Sequence, residues 1–116
     1  MNPDRQLFGL LGAFPDTSEK KRYWNSYFTQ NRIDAFLDHY PTSETEIPER
    51  LSEMFHFDRR GYIVGKSLQK AIILQLDRLD SSAAGEGRAS LILNDGGVLI
   101  GFVCESPEEA KAVWNV

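Results

Sequence analysis

The stretch from Arg59 to Asp80, RRGYIVGKSLQKAIILQLDRLD, constrains the fold of this chain more than any other. Gly61-Tyr62-Ile63-Val64 is a short apolar run with β-branched residues, the pattern of a strand buried on both faces. Gly65 and Ser67 break the run. Leu68, Ala71, Ile72, Leu76 and Leu79 then recur at three- to four-residue spacing, which predicts a helix. Strand, tight turn and helix in that order place residues 65–69 beyond the carboxyl end of a strand. Ligands of open α/β sheets sit there, where helix N-termini offer free N–H groups. The residues at that spot are Gly65, Lys66, Ser67, Leu68 and Gln69. The position suits a site; the side chains bring little acid–base chemistry to it.

The rest of the chain repeats the alternation. Leu7 to Gly12 reads as a first buried strand ending on glycine. Asp16, Thr17 and Ser18 offer N-caps to a helix bearing Tyr23, Tyr27 and Phe28 on one face, with Asn31 suited to a left-handed end. Arg32 to Tyr40 is predicted as a strand and Pro41-Thr42-Ser43 as a turn. Ile47, Leu51, Met54 and Phe55 predict a second helix that tolerates Pro48 in its first turn. After Asp80-Ser81-Ser82, residues 83–87 are small and expected to be flexible. Ala89 to Leu93 and Val98 to Val103 flank Asn94-Asp95-Gly96-Gly97, a hairpin signal. Ser106-Pro107-Glu108-Glu109 is a capping box that opens a last helix with Ala110, Val113 and Trp114 inward. The expected fold class is α/β. It is a single domain over residues 1–116 in the order β-α-β-α-β-α-β-β-α, a mixed, mostly parallel sheet with helices on both faces.

Composition excludes several functions. A net charge of −4 over 116 residues disfavours nucleic acid, whose phosphates the average surface repels. The single cysteine, Cys104, leaves no internal disulfide and no cysteine-rich metal motif, which suits a reducing cytoplasm. His39 and His56 have no carboxylate or cysteine at ligand spacing, so no metal is expected. No apolar run approaches membrane-spanning length, and neither a membrane nor a nucleic-acid partner is expected.

Almost end to end, this order resembles the N-terminal substrate-binding domain of shikimate dehydrogenase. The family opens on a strand of the type L-F-G-L-I-G, matched by Leu7 to Gly12. A D-A-x-Y-type segment is matched by Asp34-Ala35-Phe36-Leu37. The central unit G-x-R-G-x-N-V-T-x-P-x-K, followed by D-x-x-D, finds Gly61, Val64, Asp77 and Asp80 in register. The closing I-G-A-V-N-T and D-G-x-L-x-G-Y-N-T-D segments correspond to Gly87 to Leu91 and Gly97 to Glu105. The resemblance implies the family's fold and a place in aromatic amino acid biosynthesis.

It also implies where a site would lie, and there the match thins. Of the family's Ser-Leu-Ser carboxylate loop only Ser18 stands in register. The asparagine and threonine of N-V-T become Ile63 and Gly65, and the asparagine of V-N-T becomes Ser90. The aspartate paired with the general-base lysine becomes Glu105. The lysine itself falls on Gln69, which accepts no proton at working pH. A one-residue slip would supply Lys70 but would misplace Val64 and Asp77.

The candidate substrate-binding residues are therefore Ser18, Lys66, Gln69, Ser90 and Glu105, with no catalytic residue among them. Each has a plainer reading: Ser18 as a cap, Lys66 and Gln69 as surface groups, Glu105 as a solvated acid before a helix. No G-x-G-x-x-G occurs, so no resident dinucleotide cofactor is expected.

Three functions stay open. One is a non-catalytic binding domain, a pseudoenzyme, for a small hydroxy acid. The second is the substrate half of an oxidoreductase working with a separate or missing NADP-binding partner. The third is a structural domain that self-associates into a homodimer through Trp114, Val116 and Phe102.

Overall fold

The computed structural model describes residues 5–116. The strands are β1 (Gln6–Leu11), β2 (Ala35–Tyr40), β3 (Arg59–Val64), β4 (Arg78–Leu79), β5 (Leu91–Asp95) and β6 (Val98–Phe102). The helices are α1 (Thr17–Gln30), α2 (Ile47–His56), α3 (Ser81–Glu86) and α4 (Pro107–Trp114). One six-stranded sheet runs β2-β1-β3-β5-β6-β4. β1 pairs parallel with β2 and β3, and β4 parallel with β6, while β5 is antiparallel to both β3 and β6. The fold is the mixed α/β architecture expected from the sequence.

Period-two alternation splits the core into two layers. On one face Leu11, Tyr62, Val64, Ile92 and Leu99 pack against Ile47, Leu51 and Met54 of α2 and against Leu68 and Ile72. On the other, Phe8, Leu10, Leu37 and Leu91 meet Trp24 and Phe28 of α1 and Ala110 and Trp114 of α4. Trp114 is the keystone of that layer. Its ring lies 4.4 Å from Phe8 and 5.3 Å from Trp24, and its Nε1 donates to Ile92 O at 3.1 Å. On the first face, Tyr62 hydroxyl donates to Arg50 O and accepts from Arg59, which pairs with Glu53 at 2.9 Å. Burial pushes the Tyr62 pKa up to about 12, so the phenol stays a donor.

Several local expectations are corrected. The periodic run after β3 does not form an α-helix. It folds as two 3₁₀ turns, Lys66–Leu68 and Ala71–Gln75, and then β4. Leu68 and Ile72 are buried, but Leu79, the last residue of the expected stripe, is exposed on β4, so the apolar spacing reflects separate anchors and not one stripe. The segment expected to be flexible is α3, whose N-terminus is capped by Asp80 and whose end is the left-handed Gly87. The left-handed residue after α1 is Arg32, at φ 55°, and not Asn31. The strand expected over Arg32 to Tyr40 starts at Ala35, and the one expected over Ala89 to Leu93 starts at Leu91. Trp114, expected at a dimer contact, is fully buried in the core, while Phe102 and Val116 are partly buried against its cluster. No helix among the described residues is long and apolar enough to cross a membrane.

Candidate binding cleft

The carboxyl ends of β1 and β3 stop side by side. Gly65 N donates to Leu11 O at 2.7 Å. A Cβ on Gly65 would stand 2.9 Å from Ala13 O and 3.2 Å from Leu11 O, so only glycine lets the two backbones meet. Beyond that contact the chains diverge, one toward α1 and the other into the turn at Lys66. The segment between β6 and α4 closes the opposite side. Between them lies a cleft of about 470 Å³. Ile63, Leu91, Trp24 and Ala110 give it an apolar wall, and Asp16, Lys20, Lys66, Gln69, Ser90 and Glu105 supply its polar groups.

Four predicted residues, Lys66, Gln69, Ser90 and Glu105, thus line one cleft; Ser18 does not. Helix α1 starts at Thr17, so Asp16 is its N-cap residue and Ser18, already inside the first turn, is exposed. Asp16 makes no side-chain cap and instead pairs with Lys20 at 3.3 Å.

The four residues differ in what they leave free. Gln69 Nε2 donates to Val64 O at 3.0 Å, and Gln69 Oε1 accepts from Arg88 Nη1 at 2.6 Å. Both ends of that amide are therefore engaged by the protein. Ser90 Oγ accepts from Cys104 N at 2.9 Å and sits 3.4 Å from Cys104 O, tying β5 to the chain beyond β6. Lys66 is exposed at the mouth, and its ammonium meets no hydrogen-bond or ion-pair partner among the described residues. Glu105 has its side chain 70% exposed and reaches only Arg88 Nη2, at 3.6 Å. The Cys104 thiol, in the same wall, is pushed up to about 11, by burial first and then by the Glu109, Asp80 and Glu105 carboxylates. It is held as a neutral thiol.

Arg88 is the residue that sequence reasoning missed. It stands just after α3 and joins Gln69, Glu86 and Glu105, with Nε 3.0 Å from Glu86 Oε1. Its neighbour Glu86 was visible in the sequence, but the partners at positions 69 and 105 come from other elements and are brought together only by folding. Among the described residues no group of three or more His, Cys, Asp or Glu side chains is placed to hold a metal ion.

Similarity to solved structures matches this geometry. The chain superposes on shikimate 5-dehydrogenase of Listeria monocytogenes, crystallised with shikimate and NAD, with a TM-score of 0.83 and 21% identity over 99% of this chain and 40% of that one. Shikimate 5-dehydrogenase of Thermus thermophilus, in complex with NADP(H) and shikimate, gives 0.79 and 22% over 96% of this chain and 43% of that one. The 5-ketofructose reductase of a Gluconobacter strain gives 0.82 at 14% identity, over 97% and 40%. The fold is therefore shikimate-dehydrogenase-like, and the chain spans about two-fifths of the length of these proteins. No protein-family model and no curated protein sequence matches it.

Proposed function

We propose that this chain is a binding domain for a small carboxylic acid and that its cleft carries out no proton transfer of its own. The observation behind this reading is the state of Gln69. By resemblance it occupies the place of a general base, yet it is an amide with its nitrogen on Val64 O and its oxygen on Arg88. An amide cannot take up a proton, and loss of a positioned base removes roughly a hundred- to ten-thousand-fold in rate. The cleft keeps what binding needs: a concave volume, an apolar wall and cationic side chains at the mouth.

Ile63 narrows the ligand. It lines the cleft with a branched apolar side chain. A ligand hydroxyl pressed against it would exchange a bond to water for none, at a cost of about 1–3 kcal/mol. A sparsely hydroxylated ring acid is favoured over shikimate by roughly tenfold or more. Calorimetric titration with shikimate and with cyclohex-1-enecarboxylate, its fully deoxygenated analogue, tests this directly. The deoxy acid binds more tightly to the unmodified chain, and Ile63→Asn narrows or reverses the gap. Tight shikimate binding by the unmodified chain, or no response to Ile63→Asn, rejects the assignment.

A second reading draws on the length comparison. The neighbours crystallised with nicotinamide cofactors are about two and a half times as long as the matched region. Under this reading the domain supplies the substrate side of an oxidoreductase whose nucleotide side lies elsewhere. Gln69 then demands that any proton acceptor also come from elsewhere, which is why binding is preferred.

A further inference from the structure

We propose that the opposite end of the sheet carries a second site, where Arg60 binds the carboxylate of a small aromatic acid. The inference is independent of the cleft and starts from three arginines. Arg50, Arg59 and Arg60 each hold a buried Nε with no hydrogen-bond partner. Arg50 and Arg59 are compensated by Glu53, at 3.0 and 2.9 Å. Arg60 meets no acid among the described residues. Its Nη2 reaches only Trp114 O, a neutral carbonyl at 3.5 Å and the outer limit of a hydrogen bond. Its Nη1 is left with no acceptor among the described residues. A guanidinium that gives up water without gaining an anion is costly, and an anion from outside would relieve that cost.

The backbone explains where Arg60 points. Leu7 of β1 lies opposite Arg59 and Phe8 opposite Gly61, so Arg60 is the extra residue of a bulge, a feature that re-aims side chains. Here the side chain lines a concavity of about 560 Å³ at the amino ends of β1 and β3, whereas the cleft lies at their carboxyl ends. Arg5 lines the same space and engages only its Nε, on Asp34 at 2.8 Å. Asp58 lines it too, and no ion pair among the described residues joins that carboxylate to either arginine. Two cations against one acid favour an anion. Met54 and Phe55 form an apolar wall, with the Phe55 ring 50% exposed. At the Gly96–Gly97 rim nothing lies within 4 Å of an added Cβ, which leaves the mouth open. A planar carboxylate suits the unused edge of a guanidinium, and an aromatic body suits the Phe55 wall. An anion without a ring would leave that wall bare.

The test titrates benzoate, benzamide and acetate into the protein and its variants and follows backbone amides by NMR. Gly96 and Gly97 report this site, and Ser90 and Leu91 report the cleft. At Gly96 and Gly97 benzoate binds more tightly than benzamide or acetate. Arg60→Gln weakens benzoate there by roughly ten- to a hundredfold, as loss of a charged hydrogen bond does, and leaves the response of the cleft amides unchanged. Arg60→Lys, which keeps the charge and loses the fork, falls between the wild type and Arg60→Gln. Asp58→Asn strengthens benzoate by about two- to fivefold, the scale of an exposed charge pair. Should Arg60→Gln fail to fold, Arg60→Lys and Asp58→Asn carry the test. Benzoate binding that both of those leave unchanged overturns the role of Arg60, and so does equal binding of benzoate and benzamide. Equal binding of benzoate and acetate overturns the aromatic class. Gly96 and Gly97 amides that do not move with millimolar benzoate overturn the site, whatever the cleft amides do.

Discussion

Gly61→Ala probes the joint between the sheet and α4. A Cβ at position 61 would lie 2.3 Å from Trp114 Nε1, 2.7 Å from its Cε2 and 2.8 Å from Ile92 O. The indole must retreat by about an ångström to restore ordinary contact, and it has nowhere to go: it is fully buried between Phe8 and Trp24. Overpacking of this kind costs about 1–3 kcal/mol. The retreat also strips Nε1 from Ile92 O, and a buried donor left without a partner costs about 1–3 kcal/mol more. Reduced freedom of the unfolded chain returns about 0.4–1 kcal/mol. The net loss is roughly 1–5.5 kcal/mol, or a fall in Tm of about 4–22 °C for a domain of this size. Urea unfolding followed by tryptophan fluorescence measures it, with the m value unchanged. The double variant with Trp114→Phe, which removes the pyrrole edge, loses less than the sum of the two singles. A loss under about 1 kcal/mol, or strict additivity, would refute the contact as the cause.

Gly85→Ala gives the opposite sign. Position 85 lies inside α3 with nothing within 4 Å of an added Cβ, so alanine stabilises by about 0.5–1 kcal/mol, seen as a small rise in Tm. A pH effect is expected at the start of the same helix. The Ser82 hydroxyl and then its backbone N–H hold the Asp80 carboxylate below the usual aspartate range. A pKa depressed in the folded state adds stability above the unfolded value, near 3.9, and that stability is lost as pH falls through the folded value. Between pH 5 and pH 2.5 the wild type should lose more Tm than Asp80→Asn, which caps without titrating. Parallel slopes would remove the carboxylate from the account.

The sequence was most legible where one residue has one dominant job. The strand cores, the hairpin and the Ser106 cap follow from apolar runs, turn residues and a capping box, each a local signal. The run from Leu68 to Leu79 misled because helical spacing does not say whether a continuous helix carries the residues. Here Asp77 turns away to the sheet, its N–H on Leu99 O and its carboxylate on Leu99 N, and the chain becomes β4. Residues 83–87 looked loose because small side chains have weak propensity. Their order comes instead from Asp80, and from Ser82 Oγ accepting Val103 N across the sheet edge. The cleft was legible in outline through Lys66, Gln69, Ser90 and Glu105. Arg88 was not, because two of its three acceptors, Gln69 and Glu105, come from distant parts of the chain.

The residues of this chain divide into those that serve the backbone and those that line the cleft. Gly61, Asp77 and Asp80 all serve the backbone: close packing under Trp114, an edge-strand anchor and a helix cap. Substituting any of them disturbs main-chain geometry, whatever the ligand. Ile63, Gln69, Ser90 and Glu105, by contrast, all line the cleft. Side chains there set chemistry and leave strand pairing alone, because β3 and β5 pair through backbone groups that any residue provides. Gln69 and Glu105 come from different elements, and the Arg88 guanidinium meets both, so the chemistry of this end of the cleft is set by contacts that only the folded chain creates.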